Sequence, residues 1–331
     1  MATVGNMYPT LSDLKKQEWG DDIATIIDML VQFNAMYEDA PILECNMGTS
    51  HLTTVRTGLP TPTWRKLYKG VLPTKGTTAQ VKDATGMLED WSEVDAKLVE
   101  IAKNPAKFRL NEAKAHIAGM ANMLGSTVYY GDTDVNPERF TGLHARFNSK
   151  TASNGKQIID AGGTGSDNTS IWFVTWGEDS VHLLYPEGTK AGLQRDDKGK
   201  TTKELPDGSL YDVYREKFSQ DIGLSVRDWR GVARVANIDV SDLRANPTAG
   251  GADLINLMID GYYALQNPNQ PNGKTVIYAP KTVQTFLHKQ AMNKTNVNLT
   301  LDQSQGKPVV SFLGLPIRRD DNILETEGQI V

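Results

Sequence analysis

Three side chains with metal-ligand chemistry stand at alternate positions of this 331-residue chain: Asp132, Asp134 and Asn136, in the run YYGDTDVNPERFTGLHARFN over residues 129–148. Oxygen ligands spaced this way open the calcium loop of an EF-hand. That loop also needs glycine at its sixth position, for the sharp turn, and glutamate at its twelfth. Counting from Asp132, the sixth residue is Pro137 and the twelfth is Leu143. Two required positions fail, so no calcium site is expected. The sequence predicts a helix exit instead: Gly131 ends a helix, the three polar residues cap turns with their side chains, and Pro137 fixes the next bend.

The other candidates for chemistry are sparse. The run GGTGSD at 162–167 is the nearest approach to a phosphate-binding loop. It lacks the lysine followed by serine or threonine and sits in a polar stretch, so no nucleotide site is expected. Histidines 51, 116, 144, 182 and 288 stand singly, without metal-ligand spacing. His116 is expected at the surface, and His182 as a satisfied structural histidine inside a strand. No G-x-S-x-G elbow occurs. Cys45 is the one cysteine, so no internal disulfide is possible, and it reads as a structural thiol. Catalytic triads are not local in sequence. Asp132, His144 and Asp179 therefore stay open as the set that a soluble α+β hydrolase would use. No cofactor and no metal are expected.

Composition narrows the class. The chain is 39% hydrophobic and 23% charged, which is enough apolar material for one or two cores. Its net charge is −5 and no Lys/Arg-rich tail is visible, which disfavours a large nucleic-acid grip. The start, MATVGNMYPTLSDLKKQEWGDD, has no basic segment followed by an apolar one, so no signal peptide is expected. No apolar run is long enough to cross a bilayer, so no membrane partner is expected either. The expectation is a soluble protein in a reducing setting.

The elements follow from periodicity. Ile23, Ile27, Leu30 and Asn34, widened by Ile26 and Phe33, predict a helix over 11–37. Residues 46–82 contain no Asp or Glu, but carry Arg56, Arg65, Lys66, Lys69, Lys75 and Lys82, with three prolines and four glycines. HLTTVRTG and TTAQVK read as strands, with Trp64, Leu67 and Tyr68 between them. A connection this long without its own core is unusual in a compact domain; it reads as a surface hairpin folded against its own acidic neighbour segment or as an arm that reaches another molecule. Residues 83–100 have the opposite sign, with Asp83, Glu89, Asp90, Glu93, Asp95 and Glu100 against Lys97 alone. The arm's Arg56, Arg65, Lys66 and Lys69 are expected to face Asp83, Glu89, Asp90 and Glu93 of a neighbouring copy, with Trp64, Leu67 and Tyr68 adding apolar contact.

Ala113, Ile117, Met120, Leu124 and Val128 predict a long helix over 108–130. Residues 150–169 read as a flexible connection. SIWFVTW (170–176) is apolar on both faces and predicts a central strand, with a hairpin to SVHLLY (180–185). RDDKGK (195–200) and PDGS (206–209) read as turns. Two more extended segments follow, then a helix over 251–265, the strand KTVIYAP, the helix KTVQTFLHKQAM, and a final strand, PVVSFLGLPIRRDDNIL, interrupted by a Gly-Leu-Pro turn. Segregated strands and helices of this kind mean α+β.

This organisation resembles the major capsid proteins of tailed bacteriophages, which share the Hong Kong 97 capsid fold. The stretch with Gly131, Asp132, Pro137, Phe140, Gly142 and Leu143 resembles the turn after that family's spine helix. Gly314, Pro316 and Ile317 resemble its late G-x-P-[IV] strand, and TVIYAPKTVQTFL its strand-then-helix. The strand-rich piece 170–238 resembles a short-tailed-phage branch. The resemblance implies an N-terminal arm over 1–45, an extended E-loop over 46–82, and a peripheral domain over 83–160 with its spine helix at 108–130. It further implies an axial domain with extra strands over 161–300 and a C-terminal strand over 301–331 that returns to the peripheral domain.

The function so implied is structural, with no catalysis: self-assembly into pentamers and hexamers of an icosahedral phage head. That head encloses double-stranded DNA without sequence-specific binding and is assembled in the host cytoplasm. Scaffolding, portal and decoration proteins are the implied further partners. No motif identifies the residues of the founding member's covalent crosslink, so that chemistry is not carried over. An encapsulin-like shell is the alternative with the same fold, and the hydrolase the alternative from another class.

Overall fold

The computed structural model describes residues 18–19, 22–23, 35–245, 251–268, 273–293, 299–304 and 307–331. The helix predicted over 11–37 is not what its first described residues form. Glu18–Trp19 (β1) and Asp22–Ile23 (β2) pair antiparallel, Glu18 opposite Ile23. Described helix in this stretch is confined to Ala35–Asp39 (α1). Ile26, Ile27, Leu30, Phe33 and Asn34 lie outside the described residues.

Ile42–Glu44 (β3) leads into a long ribbon. Ser50–Gly58 (β4) and Thr77–Asp95 (β5) run antiparallel, from Ser50 opposite Ala84 to Gly58 opposite Thr77. β5 does not stop at residue 82. It continues through the acid-rich stretch because a later strand pairs with it from Thr85 to Asp95. Asp95 then caps Ala96–Ile101 (α2) by accepting from the Lys97 amide.

The predicted long helix is Pro105–Tyr130 (α3), 26 residues, about 39 Å at 1.5 Å per residue. Asn104 caps it by accepting from the Lys107 amide, Pro105 fits the first turn, and Gly131 closes it. Ala113, Met120, Leu124 and Val128 are buried as predicted, but Ile117 is 36% exposed. At that level the helix rests on a narrow ribbon, where Ala113 and Met120 meet Leu88 and Phe218 and little is left to cover Ile117. Leu143–Arg146 (α4) is one further turn.

The stretch 150–169 is packed in part, over 154–160 and 168–169, while 161–167 has no regular structure. Gly155–Gln157 make a 3-10 turn and Ile158–Asp160 (β6) is a strand. The chain passes so close at Gly155 that a Cβ there would lie 2.6 Å from the Lys150 carbonyl carbon. Its polar side chains serve as internal ties: Asn154 donates to the Arg146 carbonyl at 2.7 Å, and Asp160 accepts from Asn237 at 2.9 Å.

Asn168–Trp176 (β7) is buried at every position. The hairpin expected next is absent. Val181–Tyr185 (β8) meets β7 at one parallel pair, Trp176 with Val181, then pairs parallel with β3. A tight turn, with the Ser180 amide donating to the Gly177 carbonyl at 3.2 Å, sends β8 away from β7. Gln194–Glu204 (β9) and Leu210–Val226 (β10) form a second ribbon, joined at the predicted PDGS turn, where Gly208 has φ of 80°. β10 is also the antiparallel partner of β8 and β5. The predicted turn RDDKGK lies inside β9. With no buried face this strand has no apolar period to read; ion pairs such as Arg195–Glu216 at 2.7 Å and Lys200–Asp212 at 3.2 Å tie it to β10.

Val232–Asp239 (β11) pairs antiparallel with β7 and parallel with β6. Val240–Ala245 (α5) and Leu254–Ala264 (α6) follow, then Lys274–Ala279 (β12), antiparallel to β7, and Lys281–Asn293 (α7). Leu299–Ser304 (β13), Lys307–Phe312 (β14) and Leu315–Arg319 (β15) finish the run, with β15 parallel to β12. The expected interrupted strand is a hairpin of β14 and β15. Leu313 and Gly314 both have positive φ, 50° and 81°, as a two-residue type I′ turn requires.

β7 sits between two cores. Successive strand side chains leave on opposite faces. Trp172, Val174 and Trp176 pack with Leu124, Val128 and Tyr129 of α3; Ile171 and Phe173 pack with Leu254 and Met258 of α6 and Val283 and Leu287 of α7. A strand covered on both faces reads as continuously apolar. The last residues fold back onto α3, where Tyr129 donates to Asp320 at 3.0 Å and Tyr130 to Glu327 at 2.5 Å.

Candidate inter-subunit surface

The β4–β5 ribbon stands off the body. Nine residues of β4 span about 30 Å at 3.3 Å each. Residues 59–76 at its end have no regular structure except one turn. Pro60, Pro62 and Pro73 lack the amide a ladder needs. At the tip the Lys69 amide donates to the Lys66 carbonyl at 3.2 Å, Arg65 Nε donates to the Lys69 carbonyl at 3.2 Å, and Tyr68 takes φ of 64°. Its apolar side chains have no cover among the described residues. Trp64 is 100% exposed, Tyr68 99% and Leu67 87%. Among the described residues, Arg56, Arg65, Lys66, Lys69, Lys75 and Lys82 make no ion pair. The sequence-predicted basic and aromatic residues are thus brought together on one projection.

The acids expected to receive them are engaged at home. Asp83 is buried at the ribbon's root, bound by Arg146 at 2.7 Å and Ser225 at 2.8 Å, so it is not open to a neighbour's cations. Glu93 pairs with Lys203 and with Arg215 at 2.6 Å. Burial pushes its pKa up, but hydrogen bonds from Lys203 and Arg215 outweigh that and hold it below the usual carboxylate value. Glu89 pairs with Lys217 at 2.6 Å, and Asp90 with His116 at 2.6 Å. His116 is thus a tied histidine that also stacks on Phe218, not a bare surface one. Sequence reasoning missed these cations because they lie on β9, β10 and α4. The signal was the alternation Arg215, Lys217 in β10, which sets Arg215 directly opposite Glu93.

A different acidic surface is open. Asp132, Asp134 and Glu138 form the exit from α3, and none of them makes an ion pair among the described residues. The turn reading holds at Asp132, whose side chain accepts from the Asp134 amide at 2.9 Å. Beside this turn lies an apolar groove of about 210 Å³ between β5 and the last turns of α3. Its walls include Met87, Leu88, Met123, Phe140 and Ile222, and Met87 is 76% exposed. Gly86 keeps one wall close, since a Cβ there would stand 3.0 Å from the Glu138 carbonyl oxygen.

The hydrolase set is not assembled. His144 Nδ1 accepts from Arg234 at 3.0 Å, Asp132 closes its own turn, and Asp179 lies by Arg227 at 3.9 Å. Burial first, and Arg234 second, hold the His144 pKa below the ordinary value.

A family model described as major capsid protein GP7 matches residues 18–331. No curated protein matches. Among solved structures, a chain of bacteriophage Epsilon15, determined by cryo-EM and modeling, is 40% identical with a TM-score of 0.79, over 100% of this chain and 99% of that one. The bacteriophage JBD30 capsid is 10% identical with a TM-score of 0.47, over 89% and 93%. The SrpI encapsulin of Synechococcus elongatus PCC 7942 is 10% identical with a TM-score of 0.46, over 70% and 97%. Likenesses of the last two sizes carry no weight; the Epsilon15 match spans the whole fold, α+β of the Hong Kong 97 capsid type. The chain belongs to the family of major capsid proteins GP7.

Proposed function

We propose that this chain is the repeating subunit of an icosahedral phage head, and that the projecting ribbon is the arm by which one copy holds the next. The observation that carries this reading is the tip. Trp64, Leu67 and Tyr68 are left exposed together with cations that find no acid among the described residues. The receiving surface that fits is the apolar groove beside Met87 and Phe140, whose lining carries Glu138 and Arg139 and which adjoins the turn of Asp132 and Asp134, because the arm has no acidic residue of its own. Exposed ion pairs contribute only about 0–1 kcal/mol each. Apolar burial at roughly 25 cal/mol per Å² supplies the strength, and charge sets register and assembly rate.

In this reading residues 46–82 are the E-loop, rooted on a strand that runs to Asp95, and α3 is the spine of the peripheral domain. The β7 sheet with α6 and α7 belongs to the axial domain, and 301–331 returns to the spine. Repeated head-to-tail contacts of this kind close into pentamers and hexamers when the rotation permits. The shell so built encloses double-stranded DNA without reading its sequence and is assembled in the host cytoplasm. Scaffolding, portal and decoration proteins are its further partners, and no catalytic step is assigned.

Cysteines at the two surfaces test the contact. Tyr68→Cys combined with Met87→Cys is expected to give a ladder of covalently linked multimers on oxidation. The two sites cannot bridge within one chain, because β5 alone separates Thr77 from residue 87 by about 33 Å. Closed particles that yield no ladder would overturn the assignment.

A further inference from the structure

Where the β4–β5 ribbon joins the sheet, two histidines are buried against each other. His51 on β4 is 5% exposed and His182 on β8 is fully buried; their rings meet edge to face at 5.7 Å. His182 was expected to be satisfied, yet neither of its ring nitrogens has a well-formed hydrogen bond. His51 Nε2 lies 3.1 Å from Arg227 Nη2. A guanidinium can only donate, so Nε2 is the acceptor and His51 is neutral, with its proton on an unpartnered Nδ1.

We propose that this root is an acid-sensitive hinge: protonating His51 or His182 sets a cation against Arg227, with no carboxylate free to receive it, and loosens the arm while the sheet behind it holds. The surroundings support this from every packed element. On β5, Asp83 is the one nearby counter-charge, and it is used up, Oδ1 by Arg146 of α4 and Oδ2 by Ser225 of β10. Arg227, just after β10, also donates to the Glu178 carbonyl at 3.0 Å, and its one carboxylate, Asp179, is exposed and 3.9 Å away. Glu44 and Glu187, on the β3 side, act on buried Cys45. Protonated His51 would turn its Nε2 acceptor into a second donor facing Arg227. Burial first, then Arg227, holds both histidines below their ordinary pKa, His182 at about 4. The hinge is a property of the single chain, so its failure is distinguishable from failure of the contact proposed above.

Hydrogen exchange on the full-length chain, corrected for intrinsic rates, tests it. If opening restores an ordinary histidine, the opening constant rises by about 30-fold between pH 7.5 and pH 5.0 from His182 alone. That rise is expected at amides 51–55 and 79–85 through openings far more frequent than the global unfolding that β7 and β12 report. His182→Leu with His51→Gln is expected to reduce it to less than about 3-fold. Root protection that ignores pH, or an unchanged slope in the double variant, would overturn the proposal. Should that variant not fold, ¹³C-histidine titration of the unaltered chain decides. His182 neutral at pH 5.5 and a His51 midpoint below the ordinary 6.5 are expected, and midpoints of both near 6.5 would contradict it.

Discussion

Arg234 lies in β11 with no exposed surface. Its guanidinium donates to Glu327 at 2.8 Å, Ser170 at 3.0 Å and the Phe147 carbonyl at 2.7 Å, and it lies 4.6 Å over the Trp172 ring. Glu327 accepts as well from Tyr130 and Ser170, each at 2.5 Å. The cluster ties the last residues of the chain to the sheet and to α3. Burying a lone charge is costly, whereas a satisfied pair is close to neutral against apolar replacements. Glu327→Ala is therefore expected to lower unfolding stability by about 3–5 kcal/mol in urea titrations, and adding Arg234→Met to recover most of that loss. None of this was legible in the sequence. VARVANID shows a strand, but the partner of its arginine lies 93 residues further on.

At the scale of elements, α3 offers a paired test. Gly119 has open space around it, while a Cβ at Gly125 would lie 2.6 Å from Cγ of Asn322. Asn322 is buried and held by Asp320, so it cannot step aside. Gly119→Ala is expected to raise stability by up to about 1 kcal/mol through helix propensity. Gly125→Ala is expected to lower it by about 1–3 kcal/mol through overpacking, although its propensity gain is the same. Thermal melts of the two variants should move in opposite directions. This helix, α6 and α7 were legible because each buries one face with a helical period, and β7 and β12 because they read as short, nearly continuous apolar runs. β9 was not, because its residues face water and each other. The exit turn was legible from Gly131 and Pro137, but the neighbouring groove needs β5, which meets it only in the fold. The arm's cations and aromatic tip were legible too; that Glu93 and Glu89 are already paired with Lys203 and Lys217 was not, since those cations lie on later strands.

The whole molecule should weaken in mild acid. The His182 pKa is lowered to about 4 by burial, then by Arg227, so between the ordinary value and 4 the unfolded chain binds more protons. Its contribution is complete above about pH 6.5 and is lost as pH falls toward 4, about 3 kcal/mol in all at 1.36 per unit. His51 and His144 act in the same sense; Asp320, whose pKa burial pushes up, acts in the opposite one. Urea midpoints are thus expected to fall steadily from pH 6.5 to 4.5. Reversing Arg65 and Lys66 to Glu is expected to slow assembly and alter its salt dependence, with an unchanged circular dichroism spectrum. An arm with no partner among the described residues of its own chain is expected to build the shell from outside a self-sufficient body. Electron microscopy of the chain lacking residues 58–74 tests that most directly. Folded subunits that do not close into particles are expected, beside closed particles from the intact chain; normal particles from the deleted chain would overturn the assignment.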